Sequence, residues 1–224
     1  ILPGAQKTEI PALRQGLCFV GSGAMFRQET KPRAGGCGNS ERRRGIIRGS
    51  TKVWYSIYMK IYITGVSGTG KISLSRELIA RGINAVDLDE ISHWENKETG
   101  DTTGWEPGSS DEWMESHIWV CDLIKLKEVL SKAENAVALG HASNQDEYLP
   151  LFDKTFVLSC SPETIVKRLN DRTDNDFGKH PKDQERILNW QRGFDNWMIE
   201  KGAEVINCER PIDEIIAVVE SHFS

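Results

Sequence analysis

Seven consecutive residues, Gly65-Val66-Ser67-Gly68-Thr69-Gly70-Lys71, carry the clearest chemical signal in the chain. Their glycines admit backbone conformations closed to other residues, so successive amides can turn inward on an anion. Lys71 adds a full positive charge, and a helix beginning there would add its positive dipole end. That is the chemistry of gripping the phosphates of a purine nucleoside triphosphate such as ATP. Gly65, Ser67, Gly68, Thr69, Gly70 and Lys71 are the contacts, and Lys71 also neutralises the terminal phosphates during transfer. The position after such a lysine calls for Ser or Thr, whose hydroxyl ligates Mg2+, but Ile72 stands there and an alkyl group coordinates no metal. Ser73 is the next hydroxyl, turned by about 100° on a helix. Ile72 and Ser73 complete the expected nucleotide contacts, with Ser73 a candidate metal ligand.

A second cluster is Val86-Asp87-Leu88-Asp89, which alternates apolar and acidic. At the end of a strand this sends both carboxylates to one side. If that strand neighbours the one before Gly65, the pair stands beside the phosphate loop. Asp87 is then a water-mediated magnesium partner and Asp89 the base or orienter of an acceptor hydroxyl. The competing reading has both acids capping a helix through Glu90 to Trp94. The run Ala136 to Leu139 ends in Gly140 and offers no acid for a metal.

These residues need elements to hold them. Strand-type apolar runs occur at Ile61 to Thr64, Asn84 to Val86, Ala136 to Leu139, Thr155 to Leu158 and Glu204 to Ile206. Helical patterns lie between and after them, at Leu74 to Arg81, Glu112 to Ser131, Pro162 to Asp171, Asp183 to Glu200 and Ile212 to Ser221. Regular alternation of short buried strands with long crossovers predicts an α/β fold, a parallel sheet with helices on both faces. Ligands of such sheets bind beyond the carboxyl ends of the strands, where the Gly65 and Asp87 segments fall.

Charge divides the 224 residues unevenly. Residues 1–58 carry a net +7 and residues 59–224 a net −12. The first segment lacks apolar periodicity and reads as poorly ordered. It is a targeting peptide, a nucleic-acid-binding arm around Arg42 to Arg48, or upstream sequence foreign to the working protein. The last is preferred, because Met59 directly precedes the first strand. The acidic remainder disfavours nucleic acid as a partner and favours a small molecule. With no run of 18 apolar residues, no membrane span is expected. Five scattered cysteines without CxxC spacing argue for a reducing cytoplasm. His117 and Cys121, four apart, read as packing residues rather than metal ligands. A monomer and a dimer are both open.

Across nearly all of residues 59–224 the chain resembles the P-loop small-molecule kinases, the group of nucleoside monophosphate, shikimate and gluconate kinases. GVSGTGK, the DLD after the second strand, an Arg-containing lid segment after the fourth and the closing EVINCERPIDEII carry the likeness. The resemblance implies a five-stranded parallel sheet with a mobile lid and a substrate-binding insertion after the second strand. It also implies ATP and Mg2+ as cofactors and a small metabolite as acceptor. In that group the segment His93 to Trp119 holds the acceptor, which makes Trp105 the candidate among its tryptophans. Gly140 and Asn144, at the sheet's carboxyl edge, are further acceptor contacts or else a helix start. Arg168 and Arg172 would close over the phosphates, with Arg172 catalytic, or would form a solvated ion-paired face. The reach of Arg186 and Arg192 is left open. The departure at Ile72 supports a second reading, a nucleotide-binding regulatory protein or slow ATPase using the lid as a switch.

Overall fold

The computed structural model describes residues 58–173 and 175–223, so the readings placed on the first 57 residues lie outside the described residues. Alternating apolar runs and crossovers give the elements β1 (Lys60–Thr64), α1 (Lys71–Ala80) and β2 (Ala85–Asp87). A 3-10 turn (Leu88–Ile91) then leads into β3 (Ser92–Asn96), β4 (Thr102–Thr103), α2 (Asp111–Ser116), β5 (His117–Cys121) and α3 (Leu123–Ser131). The chain continues through β6 (Ala136–Leu139), α4 (Gln145–Tyr148), β7 (Lys154–Ser159), α5 (Pro162–Asp171), α6 (Pro181–Glu200), β8 (Glu204–Asn207) and α7 (Ile212–Glu220).

Five strands pair in parallel in the order β2-β6-β1-β7-β8. The period of two sorts their side chains between two cores. Ile61, Ile63, Val137, Leu139, Phe156 and Leu158 meet Leu74 and Leu78 of α1 and Ile216 and Val219 of α7. Tyr62, Ala136, Ala138 and Val157 face the other way, onto Leu126 of α3, Ile165 and Leu169 of α5, and Phe194 and Met198 of α6. Central strands buried on both faces explain why their sequences read as continuous apolar runs.

One condition is not met and one expectation is corrected. β2 does not neighbour β1, because β6 lies between them. The stretch Glu112 to Ser131 is not one helix: residues His117–Cys121 form β5, which pairs antiparallel with β3 from Ser92↔Cys121 to Asn96↔His117. Ile118, Trp119 and Val120 are β-branched or aromatic and gain a cross-strand partner in Trp94 and its neighbours, which outweighs the helical spacing around them. The result is a small separate sheet, β4-β3-β5, inserted after β2.

Candidate active site

The loop between β1 and α1 is shaped by glycine. Gly65, Gly68 and Gly70 have φ of 150°, 88° and 93°. A Cβ at Gly65 would lie 2.7 Å from the Leu158 carbonyl, and one at Gly68 would lie 3.1 Å from Ile165. The Thr69 hydroxyl donates to the Val66 carbonyl at 2.8 Å and closes the turn. Gly70 caps α1 without a side-chain bond, so the first-turn amides of Lys71, Ile72 and Ser73 have no intrahelical acceptor. The Lys71 ammonium folds back on the loop, donating to the carbonyls of Gly65 at 2.6 Å and Val66 at 3.1 Å. Burial holds its pKa down, with Asp89 and Asp87 acting against that and Arg172 adding to it.

Asp89 reaches this loop by an unexpected route. β6 separates its strand from β1, yet β6 ends in Gly140 (φ 152°), where a Cβ would sit 2.5 Å from the Leu88 Cβ. Leu88 occupies that space, fully buried. The 3-10 turn therefore passes over the end of β6 and brings Asp89 within electrostatic reach of Lys71. Asp87 caps the turn, its Oδ1 accepting from the Asp89 amide at 3.0 Å. Burial lifts the Asp87 carboxyl above the usual carboxylate range. The reading of both acids as caps of a helix through Glu90 to Trp94 is corrected: Asp87 alone caps a 3-10 turn that ends at Ile91, and Ser92 begins β3.

Two cavities open around the loop. The first, about 480 Å³, is lined by Gly68 to Ser73, by Arg168 and Arg172 of the α5 end, and by Cys208, Arg210 and Ile212 after β8. The second, about 550 Å³, lies toward the inserted sheet and is lined by Trp94, Trp105, Trp119, His141, Phe177 and Arg186, among others. Ser67, Lys71, Asp89 and Asn175 line both. Asp87 lines neither, and Ser73 lines the first from an exposed position.

Several sequence-derived candidates take other positions. Arg168 does not arch over the loop; its Nη1 donates to the Thr69 carbonyl at 3.3 Å and its Nη2 to the Cys208 carbonyl at 2.8 Å, clamping the glycine loop to the β8–α7 connection. Gly140 and Asn144 are engaged within the protein and line neither cavity. Gly140 makes room for Leu88, while Asn144 exchanges two 3.0 Å bonds with the backbone of Cys121 and so ties the inserted sheet to the end of β6. Arg172 ends α5 at the rim of the first cavity. Trp105 lines the second and packs edge-on against Phe177, with centroids 5.1 Å apart. His117 stacks on Trp113 at 4.2 Å, and Cys121 is a free, buried thiol.

Sequence reasoning missed Cys208, Arg210 and Ile212 on one side and His141, Trp190 and Asn175 on the other. Cys208, Arg210, Ile212 and His141 share a signal of position, just past the carboxyl end of a strand, while Asn175 lies on the α5–α6 connection and Trp190 within α6. Asn175 stood in the polar segment after Arg172, but no spacing rule aims it at Lys71.

Residues 61–189 match the model of the family described as AAA domain. No curated protein matches the chain at a significant level. Among solved structures the chain is similar to a gluconokinase from Sinorhizobium meliloti 1021, at 20% identity, TM-score 0.42, covering 72% of this chain and 89% of that one. It is similar also to the shikimate kinase from Acinetobacter baumannii in complex with shikimate, at 18% identity, TM-score 0.49, covering 75% and 96%. A third is the deoxyadenosine kinase from M. mycoides with bound dATP, at 15% identity, TM-score 0.45, covering 73% and 98%.

Proposed function

The chain belongs to the AAA domain family, and from that premise we propose that it is a kinase that transfers the terminal phosphoryl group of ATP to a hydroxyl of a small metabolite. The observation that carries this reading is the shared wall. A donor cavity and an acceptor cavity meet at Ser67, Lys71, Asp89 and Asn175, so two reactants seated there touch at one place. On this reading the loop amides and Lys71 hold the donor phosphates, and Arg172 at the end of α5 offsets charge that develops in transfer. Asp89 orients the acceptor hydroxyl and takes its proton.

Mg2+ belongs to the same proposal. It takes oxygen ligands and commonly keeps several waters beside one or two carboxylates and the substrate phosphates. Asp89, on the shared wall, would supply a carboxylate oxygen, and Asp87, which lines neither cavity and whose Oδ1 accepts from an amide, would act through water. Ile72 supplies none, so the residues fit the ion with a reduced protein ligand set. That deficit is the specific observation behind the second reading, a nucleotide-regulated protein or slow ATPase.

Thermal melting of the full chain with ATP and Mg2+ tests the donor half, since a ligand that binds only the folded state raises Tm. Lys71→Ala should abolish the ATP-dependent rise. Asp89→Asn should keep the rise and lower phosphoryl transfer to an acceptor at least about a hundredfold, the scale of a general base. Equal transfer by Asp89→Asn and the parent would remove Asp89 from the chemistry. Binding of ATP with no transfer to any metabolite would favour the regulatory reading.

A further inference from the structure

The acceptor cavity has a composition of its own. Aromatic residues wall it from three directions: Trp94 and Trp119 from the inserted sheet, Trp105 and Phe177 from the two long loops, and Trp190 from α6. Trp94 lies 5.1 Å from Trp113 and 5.5 Å from Trp119 by ring centroids, so the inserted sheet presents a packed aromatic floor. Trp190, 39% exposed, packs its edge on His141 at 4.4 Å. Ring faces of this kind stack on planar groups and give little to an acyclic polyol.

Among the described residues the cavity's charges are three: Lys71, Asp89 and Arg186. Arg186 is committed, donating to Asp183 at 3.2 Å, to the Ser109 carbonyl at 2.9 Å and to Asp111. Lys71 is assigned to the donor phosphates on the reading above. Asp89 is what remains, and it repels an anion. A carboxylate- or phosphate-bearing occupant would therefore lose its hydration without a cation reserved for it.

Two polar atoms in the cavity wall, Trp105 Nε1 and His141 Nδ1, are shut off from solvent and have no hydrogen-bond partner. Such orphans call for a ligand atom or a water. Burial, with the Lys71 charge nearby, pulls the His141 pKa down to about 3, so its ring is neutral at pH 7. A neutral imidazole carries one N–H and one lone pair, and Nδ1 is the ring nitrogen left without a protein partner. The wall thus offers the Trp105 N–H donor and an unpaired nitrogen of a neutral imidazole, groups that suit a heteroaromatic edge.

We propose that this cavity takes a neutral heteroaromatic alcohol, of nucleoside chemistry, with its ring among the tryptophans and against Trp105 Nε1 and its reactive hydroxyl at Asp89. The proposal rests on the Gly65–Lys71 loop being the donor site. Calorimetry on the full chain tests it, with the donor site first saturated by the non-hydrolysable analogue AMPPNP. Adenosine, uridine, AMP, UMP and shikimate are then titrated singly. At least one nucleoside should bind at least tenfold more tightly than its monophosphate and than shikimate. Trp105→Phe, which keeps a ring beside Phe177 and deletes the donor, should weaken that nucleoside at least fivefold and leave AMPPNP affinity unchanged. Monophosphates or shikimate binding as tightly as the nucleosides, no nucleoside binding, or a Trp105→Phe chain that binds nucleoside like the parent would each overturn the proposal. Should Trp105→Phe fail to fold, the parent's preference decides alone. Failure of AMPPNP to bind would instead sink the donor-site reading, and the nucleoside preference is then read without it.

Discussion

At Ile72 the chain departs from its own motif, and the departure has a measurable consequence. Ile72 lines the first cavity, at the position where the motif has a hydroxyl that ligates Mg2+. On the proposed reading nucleotide binding does not depend on that side chain, because the loop amides and Lys71 would supply most phosphate contacts. Ile72→Ser should therefore leave ATP affinity nearly unchanged, raise the transfer rate at least about tenfold and lower the Mg2+ concentration giving half-maximal rate. A magnesium titration of steady-state transfer in both proteins checks this, and identical curves would show that position 72 does not limit the metal. The glycines, Lys71 and the break at Ile72 were legible in the sequence because their meaning is local, set by φ and by side-chain chemistry. Arg168 was not legible. Spacing puts it one turn from Arg172, but only the packing of α5 against two loops decides that its guanidinium ends on the carbonyls of Thr69 and Cys208.

Among the elements, the turn that carries Asp89 depends on a glycine in a different strand. Gly140→Ala would force a methyl into Leu88 at a φ that side chains disfavour, with an expected cost of about 1–3 kcal/mol by chemical denaturation. It should also displace Asp89 and slow transfer, while the ATP-dependent rise in Tm persists. Adding Leu88→Ala should cost less than the sum of the two single changes, since both act on one contact. If Gly140→Ala leaves stability and transfer at parent values, the crossing of β6 by this turn is not held by that contact. The inserted sheet shows the limit of periodicity. His117-Ile118-Trp119-Val120-Cys121 is a strong β-type run, but inside a longer helical pattern its strand character emerges only when β3 is present to pair with it. Asn144 is the matching case for side chains, since its partners on Cys121 lie 23 residues earlier.

On the scale of the whole molecule, the wall of the second cavity ties global stability to pH. Folding holds the His141 pKa at about 3 against an ordinary 6.5, so the unfolded chain takes up the proton more readily. The contribution of the neutral ring is full above about pH 6.5 and is lost as pH falls toward 3. Between pH 6.5 and 5, the unfolding free energy of the parent should drop by about 1–2 kcal/mol more than that of His141→Gln. Denaturation curves at the two pH values measure it, and equal drops would show His141 to be open to protonation in the folded state. No helix among the described residues is long and apolar enough to cross a membrane. The sequence by itself determined the parallel α/β architecture and the phosphate loop, because apolar period, glycine and terminal lysine act over a few residues. Tertiary structure decided the strand order that puts β6 between β2 and β1, the approach of Asp89 to Lys71 across it, and the aromatic wall of the second cavity. Those depend on contacts between residues far apart in the chain, for which local pattern carries no term.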